Sequence, residues 1–370
     1  MTRRDWLILS TALLPGACSR RKGAGYFGYA LIATAGENSL AVVDLTAFRL
    51  LKSIPLGAPP TAVVPAAGAQ YSYVLTPTTD SVHIVDGNLK RAASHRLGSG
   101  VRGIRLGPDG RGLVAMAARE LTLVEPEPWR AAGRFPLEAE PVDMDVSTSG
   151  YAAVSTGAHG VVELVHLASG RRNRAQLTGA IGAVRFRADG QMVLVADLQN
   201  RSMVALDVPS LRVIAELPLA MRPDHLCFYG SGQLFVSGAG LDGVAIIFPY
   251  DTIEVEQTVL AGRTPGAMAC SDNPAYLFVG SDTGSEVCIL NVDDRKMIGL
   301  VEVGGKPGYL AITPGNQYAL VLDADAGALA VIHIPAIRII AKRPETGAAL
   351  FTVIPVGSQP VQAAVVPRLV

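Results

Sequence analysis

The chain has 370 residues, of which 49% are hydrophobic, 17% charged and 6% aromatic, with 39 Gly and 24 Pro. This content rules out a disordered chain, and 32 basic residues against 32 acidic ones give no bulk electrostatic ground for binding nucleic acid or an anionic surface. The length predicts two or three ordinary domains unless the chain is a repeat array.

In chain order, the first segment reads as an export signal. Arg3 and Arg4 precede an apolar stretch over residues 6–14, broken only by Ser10 and Thr11, and Pro15, Gly16, Ala17 and Cys18 follow. The stretch is too short to span a bilayer as an ordinary transmembrane helix. The order Thr2-Arg3-Arg4-Asp5-Trp6-Leu7 resembles a twin-arginine signal. Small residues before a Cys resemble a bacterial lipobox, in which the thiol is acylated and becomes the new N-terminus, although Pro15 stands where that motif has Leu. Residues 1–17 are therefore expected to be a signal, Cys18 a lipid anchor, and residues 18–28 a tether holding residues 29–370 on the periplasmic or cell-surface side of a bacterial membrane. Simple cleavage or an uncleaved anchor is the alternative. Without the signal, 30 basic and 31 acidic residues remain. Residues 23–28 also spell G-x-G-x-x-G, but no strand precedes them and no helix follows, so they carry no dinucleotide loop.

Beyond the tether a strand-like segment recurs. It starts at Tyr29, Tyr71, Gly112, Tyr151, Met192, Leu234, Tyr276 and Tyr318, at intervals of 42, 41, 39, 41, 42, 42 and 42 residues. Each unit holds four apolar or alternating segments between Gly, Pro, Asp or Asn turns, as at 276–279, 286–290, 297–303 and 307–312 in the seventh. Helical periodicity is absent. Four strands in about 40 residues predict an all-β chain forming a single β-propeller of four-stranded blades. Burial of both blade faces accounts for the apolar content.

Tyr73-Val74-Leu75-Thr76, followed by Asp80-Ser81-Val82-His83-Ile84-Val85-Asp86, resembles the YVTN-type propeller repeat. Echoes are Ala41-Val42-Val43-Asp44, Ile54-Pro55-Leu56-Gly57, Val303-Gly304-Gly305-Lys306-Pro307 and the turns Pro108-Asp109-Gly110 and Asp189-Gly190. The resemblance covers about 340 residues. Individual repeats drift: Glu138 replaces a Gly, and Ile181 replaces a Pro. No Trp-Asp signature recurs, which separates the chain from WD40 arrays. The resemblance implies a scaffold and leaves activity open.

The count favours eight blades, or seven if one unit is not a full blade. The last segment, from Pro360 onward, is expected to supply the innermost strand of the first blade and to close the ring. Residues 335–349 are the longest departure from the repeat, expected either to decorate a binding face or to cover the closure.

The fourth segment of each unit is expected to line the axis. Three and five residues after its Pro or equivalent the positions are apolar, among them Val63, Ile104, Met144, Val184, Leu226, Met268, Leu310 and Ala363, and read as packing. Polar residues fall between them in four successive units: Arg102 and Arg105, Asp143 and Asp145, Arg185 and Arg187, Asp224 and His225. The alternating signs would set Asp145 between Arg105 and Arg185. One reading is an inter-blade ionic ladder; the other is a polar pocket at the channel mouth for an anionic or sugar-like ligand.

Cys227, Cys270 and Cys288 sit in apolar runs and are expected to be buried free thiols. No close Cys/His spacing supports zinc or attached c-type haem, so neither a metal nor a cofactor is expected. His83 and His333 lie within strands, and His166 near the end of one, as scaffold residues. Asp44, Asp86 and Asp207 end strands and should receive turn N–H groups. No G-x-S-x-G, H-E-x-x-H or G-x-x-x-x-G-K-[ST] motif nominates a nucleophile or a catalytic site.

Three functions fit. The first is a non-enzymatic, exported, membrane-tethered monomer that binds an envelope protein or small ligand and no nucleic acid. The second is a lactonase-like propeller hydrolase or lyase, an activity to which Asp143, Asp145 and Asp224, interleaved with Arg, are poorly suited. The third is a haem d1-type binding or assembly protein, as implied by resemblance to eight-bladed periplasmic propellers of the cytochrome cd1 kind, with His225 as the candidate ligand.

Overall fold

The computed structural model describes residues 25–250, 252–340, 343–345 and 349–368. The expected export signal, the expected lipid anchor Cys18 and most of the expected tether lie outside the described residues. No helix among the described residues is long and apolar enough to cross a membrane.

Eight four-stranded antiparallel sheets form the blades of the ring, which settles the alternative of seven in favour of eight. In blade 1, Pro360–Pro367 is innermost, and Gly28–Thr34, Ser39–Asp44 and Arg49–Pro55 follow outward. Blades 2 to 8 run outward in chain order from innermost strands Ala62–Pro65, Gly103–Leu106, Asp143–Val146, Ile181–Phe186, His225–Phe228, Pro265–Asp272 and Pro307–Ile312. The closing register pairs Tyr29 with Val366 and Ile32 with Ala363, so the chain's last strand removes the edge that Gly28–Thr34 would otherwise expose. Arg368 latches this seam, with its Nε 2.6 Å from the Tyr29 hydroxyl and its guanidinium over the Phe27 and Tyr29 rings.

Burial follows strand position. In blade 1 every residue of Gly28–Thr34 and Ser39–Asp44 is buried, whereas Arg49–Pro55 is mostly exposed. Middle strands are covered by a neighbouring blade on each face and read as continuous apolar runs; outer strands meet water and alternate. The hydrophobic cores accordingly lie between adjacent blades, as where Leu31 and Val42 of blade 1 meet Val63, Val74 and Val85 of blade 2. Of the expected packing positions, Val63, Ile104, Met144, Val184, Leu310 and Ala363 are buried, while Leu226 and Met268 are half-buried. In every blade but the fourth, a register shift separates the third and outer strands, for instance between Val42 and Val43 and between Ile84 and Val85. A bulge repeated at one place adds local twist, which blades need as they splay outward.

Chain direction sorts the loops. Connections between second and third strands, and from each outer strand to the next innermost strand, gather at the end where the innermost strands begin, here termed the entrance. The insertion leaves between the third and outer strands of blade 8, at the opposite end. Its described residues form a hairpin of Arg338–Ile340 with Arg343–Glu345 beside the outer strand of blade 7.

Candidate ligand-binding site at the propeller entrance

Each innermost strand has one free edge, whose N–H groups need acceptors. On blades 2 and 5, side chains of the preceding blade supply them. Gln362 Oε1 accepts from Val63 N at 2.9 Å, Asp143 Oδ2 from Val184 N at 3.1 Å, and Asp145 Oδ2 from Phe186 N at 2.8 Å. Second strands add inter-blade bonds, with Ser155 Oγ donating to the Gly182 carbonyl at 2.6 Å and Ser237 Oγ to that of Gly266 at 2.8 Å.

On blades 3 to 5 this device merges with the charges. Asp143, not Asp145, bridges the two arginines: Arg105 lies 3.4 Å from Asp143 Oδ1, and Arg185 pairs with Asp143 Oδ2. Asp145 does lie on the blade between those of Arg105 and Arg185 and feels both charges, but the ion pairs form at Asp143, two positions earlier, where strand register sets a carboxylate level with both guanidinium groups. Asp145 lies deeper. Burial pushes its carboxyl above the ordinary 3.8, against the lowering effects of the Phe186 N–H and the nearby Arg185 and Arg105. Arg102 pairs with Glu140 in the connection to blade 4.

Arg102, Arg105 and Asp143 line a small pocket of about 220 Å³ with Thr61, Ala62, Val142 and Gln362. Tyr309 of blade 8 reaches the same region. Burial pushes its phenol up, while a hydrogen bond with Gln362 and the charge of Arg105 oppose that shift. Tyr309 and Gln362 escaped the sequence reading. Their signal was positional: each lies two residues after its strand's Pro, the place that Asp143 and His225 occupy.

A larger cleft, about 720 Å³, opens at the entrance between blades 6 and 7. Arg222, Asp224 and His225 form one wall, the loop Gly238–Asp242 another, and Leu260, Thr264, Pro265, Asp282 and Thr283 the side toward blade 7. Its carboxylates hold the loops. Asp224 takes Arg222 Nε at 2.7 Å and Ala239 N at 2.9 Å, and Asp242 takes Thr264 N at 2.9 Å. Asp224 also raises the pKa of Arg222 by hydrogen bond and charge. Gly238 fits because its φ is 153° and a Cβ would sit 2.6 Å from Asp224 Oδ2. His225 Nε2 lies 3.4 Å from Asp282 Oδ2, with its side chain 35% exposed. Leu260, at the lip, is 71% exposed. The arrangement offers one accessible imidazole, one guanidinium and an apolar lip.

The structure therefore divides the eight sequence-selected residues. Arg102, Arg105 and Asp143 meet at the small pocket with Arg185 and Asp145 beneath it, and Asp224 and His225 belong to the cleft. Arg187 belongs to neither: it follows the innermost strand of blade 5 and lies at the opposite end, paired with Asp189 at 2.7 Å, donating to the Pro249 carbonyl and stacked 4.9 Å over Tyr250. No group of three or more His, Cys, Asp and Glu side chains among the described residues is arranged to hold a metal ion.

The remaining candidates have local partners. His83 sits between Ser94 Oγ at 2.7 Å and Thr76 Oγ1 at 3.1 Å, and burial lowers its pKa and that of His333. Asp44 and Asp86 accept turn N–H groups, whereas Asp207 takes the Ser210 hydroxyl at 2.6 Å instead. Of the three thiols only Cys288 is fully buried; Cys227 and Cys270 are half-buried and in contact.

No family model and no curated protein matches the sequence. Solved structures do match. The dihydro-haem d1 dehydrogenase NirN in complex with DHE superposes with a TM-score of 0.71 at 14% identity, over 88% of this chain and 75% of that one. Apo AztD from Citrobacter koseri gives 0.68 at 12% identity, over 91% and 97%, and Kuenenia stuttgartiensis hydrazine synthase 0.56 at 15%, over 87% and 99%. Likeness at these identities shows the propeller fold. Function has to be argued from the site.

Proposed function

We propose that the protein is a binding or assembly propeller for an iron-bearing tetrapyrrole of the haem d1 type, taken as cargo in the cleft between blades 6 and 7. The observation that carries this reading is His225, an accessible imidazole in a cleft whose volume of about 720 Å³ falls in the range of cofactor sites. The exposed Leu260, with Leu241 and Pro265, offers an apolar lip for a macrocycle face. Arg222 supplies a guanidinium for a peripheral carboxylate once it exchanges Asp224 for the ligand. Likeness to a propeller enzyme of dihydro-haem d1 adds support at the level of the fold. The small Arg102–Arg105–Asp143 pocket, at about 220 Å³, suits an acidic group and is too small for the ring.

The export signal, acylated Cys18 and YVTN-type repeat belong to the same proposal. A tethered propeller would hold its cargo close to the membrane for an envelope partner, and metabolic labelling with a fatty acid tests the anchor through loss of label in Cys18→Ala. The cargo is tested by titrating the purified protein with hemin and with haem d1. A shifted Soret band is expected, with affinity falling at least tenfold in His225→Ala. No spectral change, or equal affinity in the variant, would overturn the reading.

A further inference from the structure

Cys227 lies in the innermost strand of blade 6, two residues after His225, and Cys270 lies in the innermost strand of blade 7, which begins at Pro265. The two strands are not hydrogen-bonded to each other; they are neighbours around the axis. Their sulfur atoms are nevertheless 3.3 Å apart. The third thiol, Cys288, is buried in the core between blades 6 and 7.

We propose that Cys227 and Cys270 form an oxidisable pair that closes to an inter-blade disulfide. Three observations favour it. The Sγ···Sγ separation of 3.3 Å leaves only a small movement to a covalent bond. Both residues are half-buried, unlike Cys288 in the core. The bond would also join the strand that carries His225 to the strand that begins with the cleft residue Pro265, tying two walls of the cleft to one another.

The chemistry is thiol–disulfide exchange with an external disulfide as oxidant. The Cys227 thiolate attacks one sulfur of the oxidant and expels its first thiolate, leaving Cys227 in a mixed disulfide. Cys270 then gives up its proton, its sulfur attacks Cys227 Sγ, and the second thiolate leaves. The pair loses two protons and two electrons, and the oxidant takes them up to become two thiols. The hydrogen bond with Cys227, and then burial, push the Cys270 thiol up, so Cys227 attacks first and Cys270 acts only in the second, intramolecular step, where its target is already in contact. In an oxidising compartment, such a bond persists.

The test uses the full chain and oxidised glutathione. After oxidation, alkylation in denaturant and digestion without reductant, mass spectrometry is expected to find the Cys227 and Cys270 peptides joined, with Cys288 alkylated. Cys270→Ser is expected to retain glutathione on Cys227, whereas the unaltered chain releases it. The oxidised chain should melt roughly 5 °C or more above the reduced one, a difference absent from the double variant Cys227→Ser, Cys270→Ser. Recovery of both cysteines alkylated, or of stable glutathione on Cys227 in the unaltered chain, would overturn the proposal. The readout is the bond itself and needs no tetrapyrrole, so failure of the cargo reading leaves it standing.

Discussion

Two arcs of the same ring solve the free edge of the innermost strand differently. On blades 4 and 5, carboxylates satisfy it: Asp143 and Asp145 accept main-chain N–H groups from the next blade while Arg105 and Arg185 neutralise Asp143. Between blades 6 and 7, the equivalent places of blade 6 hold His225 and Cys227, and His225 meets a blade 7 carboxylate, Asp282, only at 3.4 Å. Carboxylates so engaged are committed to the scaffold, because moving them strands both a guanidinium and an N–H. An imidazole with one contact of 3.4 Å is free to change partner. A charged lining therefore marks where the ring is fastened, and a sparsely bonded lining marks where it can bind.

Substitutions sharpen that contrast. The largest loss of stability is expected for Asp143→Ala, about 2–3 kcal/mol by urea unfolding, since Arg105, Arg185 and the Val184 N–H lose one shared acceptor. Its hemin affinity should stay near that of the unaltered chain. An affinity loss matching that of His225→Ala would erase the distinction between the arcs. Gly238→Ala comes next, at about 2 kcal/mol, because its φ of 153° disfavours a side chain and the Cβ meets the Arg222 carbonyl and Asp224. Unlike Asp143→Ala, it should also weaken hemin binding.

A smaller effect concerns pH. Asp145 has its carboxyl pushed above 3.8 by burial, so the folded state holds that proton more tightly than the unfolded chain. Its contribution is fully present below the unfolded value and is lost as pH rises through the folded one. Asp145→Asn keeps an acceptor for the Phe186 N–H and should flatten the fall in stability between pH 3.8 and neutrality. Some slope should persist, since burial raises Glu163 in the same direction. Unchanged slope in the variant would show that Asp145 is not the titrating group. The smallest change in stability is expected for His225→Ala, within about 0.5 kcal/mol by thermal melting, despite its large expected effect on binding.

Much of the scaffold was legible because it repeats. The interval from Tyr29 to Tyr318 marked the blades, and the segment after Pro360 marked the closure, since a pattern of apolar alternation and turns is written within about 40 residues. The polar run on blades 3 to 5 was legible as well, but its pairing was not. Asp145 and Asp143 are alike in sequence, and only the stagger between neighbouring strands decided that Asp143 meets both arginines. Arg187 looked like a lining residue until chain direction placed it at the far end of the ring. Tyr309, at a lining position of blade 8, stands in a strand, Pro307–Ile312, with no charged residue to draw attention to it.

By itself the sequence determined an all-β ring, its unit length and the strand that shuts it, because hydrophobic periodicity and turn chemistry act locally and recur. Tertiary structure alone decided which residues of different blades touch. Cys227 and Cys270 stand 43 positions apart and their sulfurs 3.3 Å apart, and the cleft is assembled from loops of two blades that no short window contains. Contacts of that kind depend on inter-blade register and on the angle at which neighbouring sheets pack, and those are set by the cores between the blades.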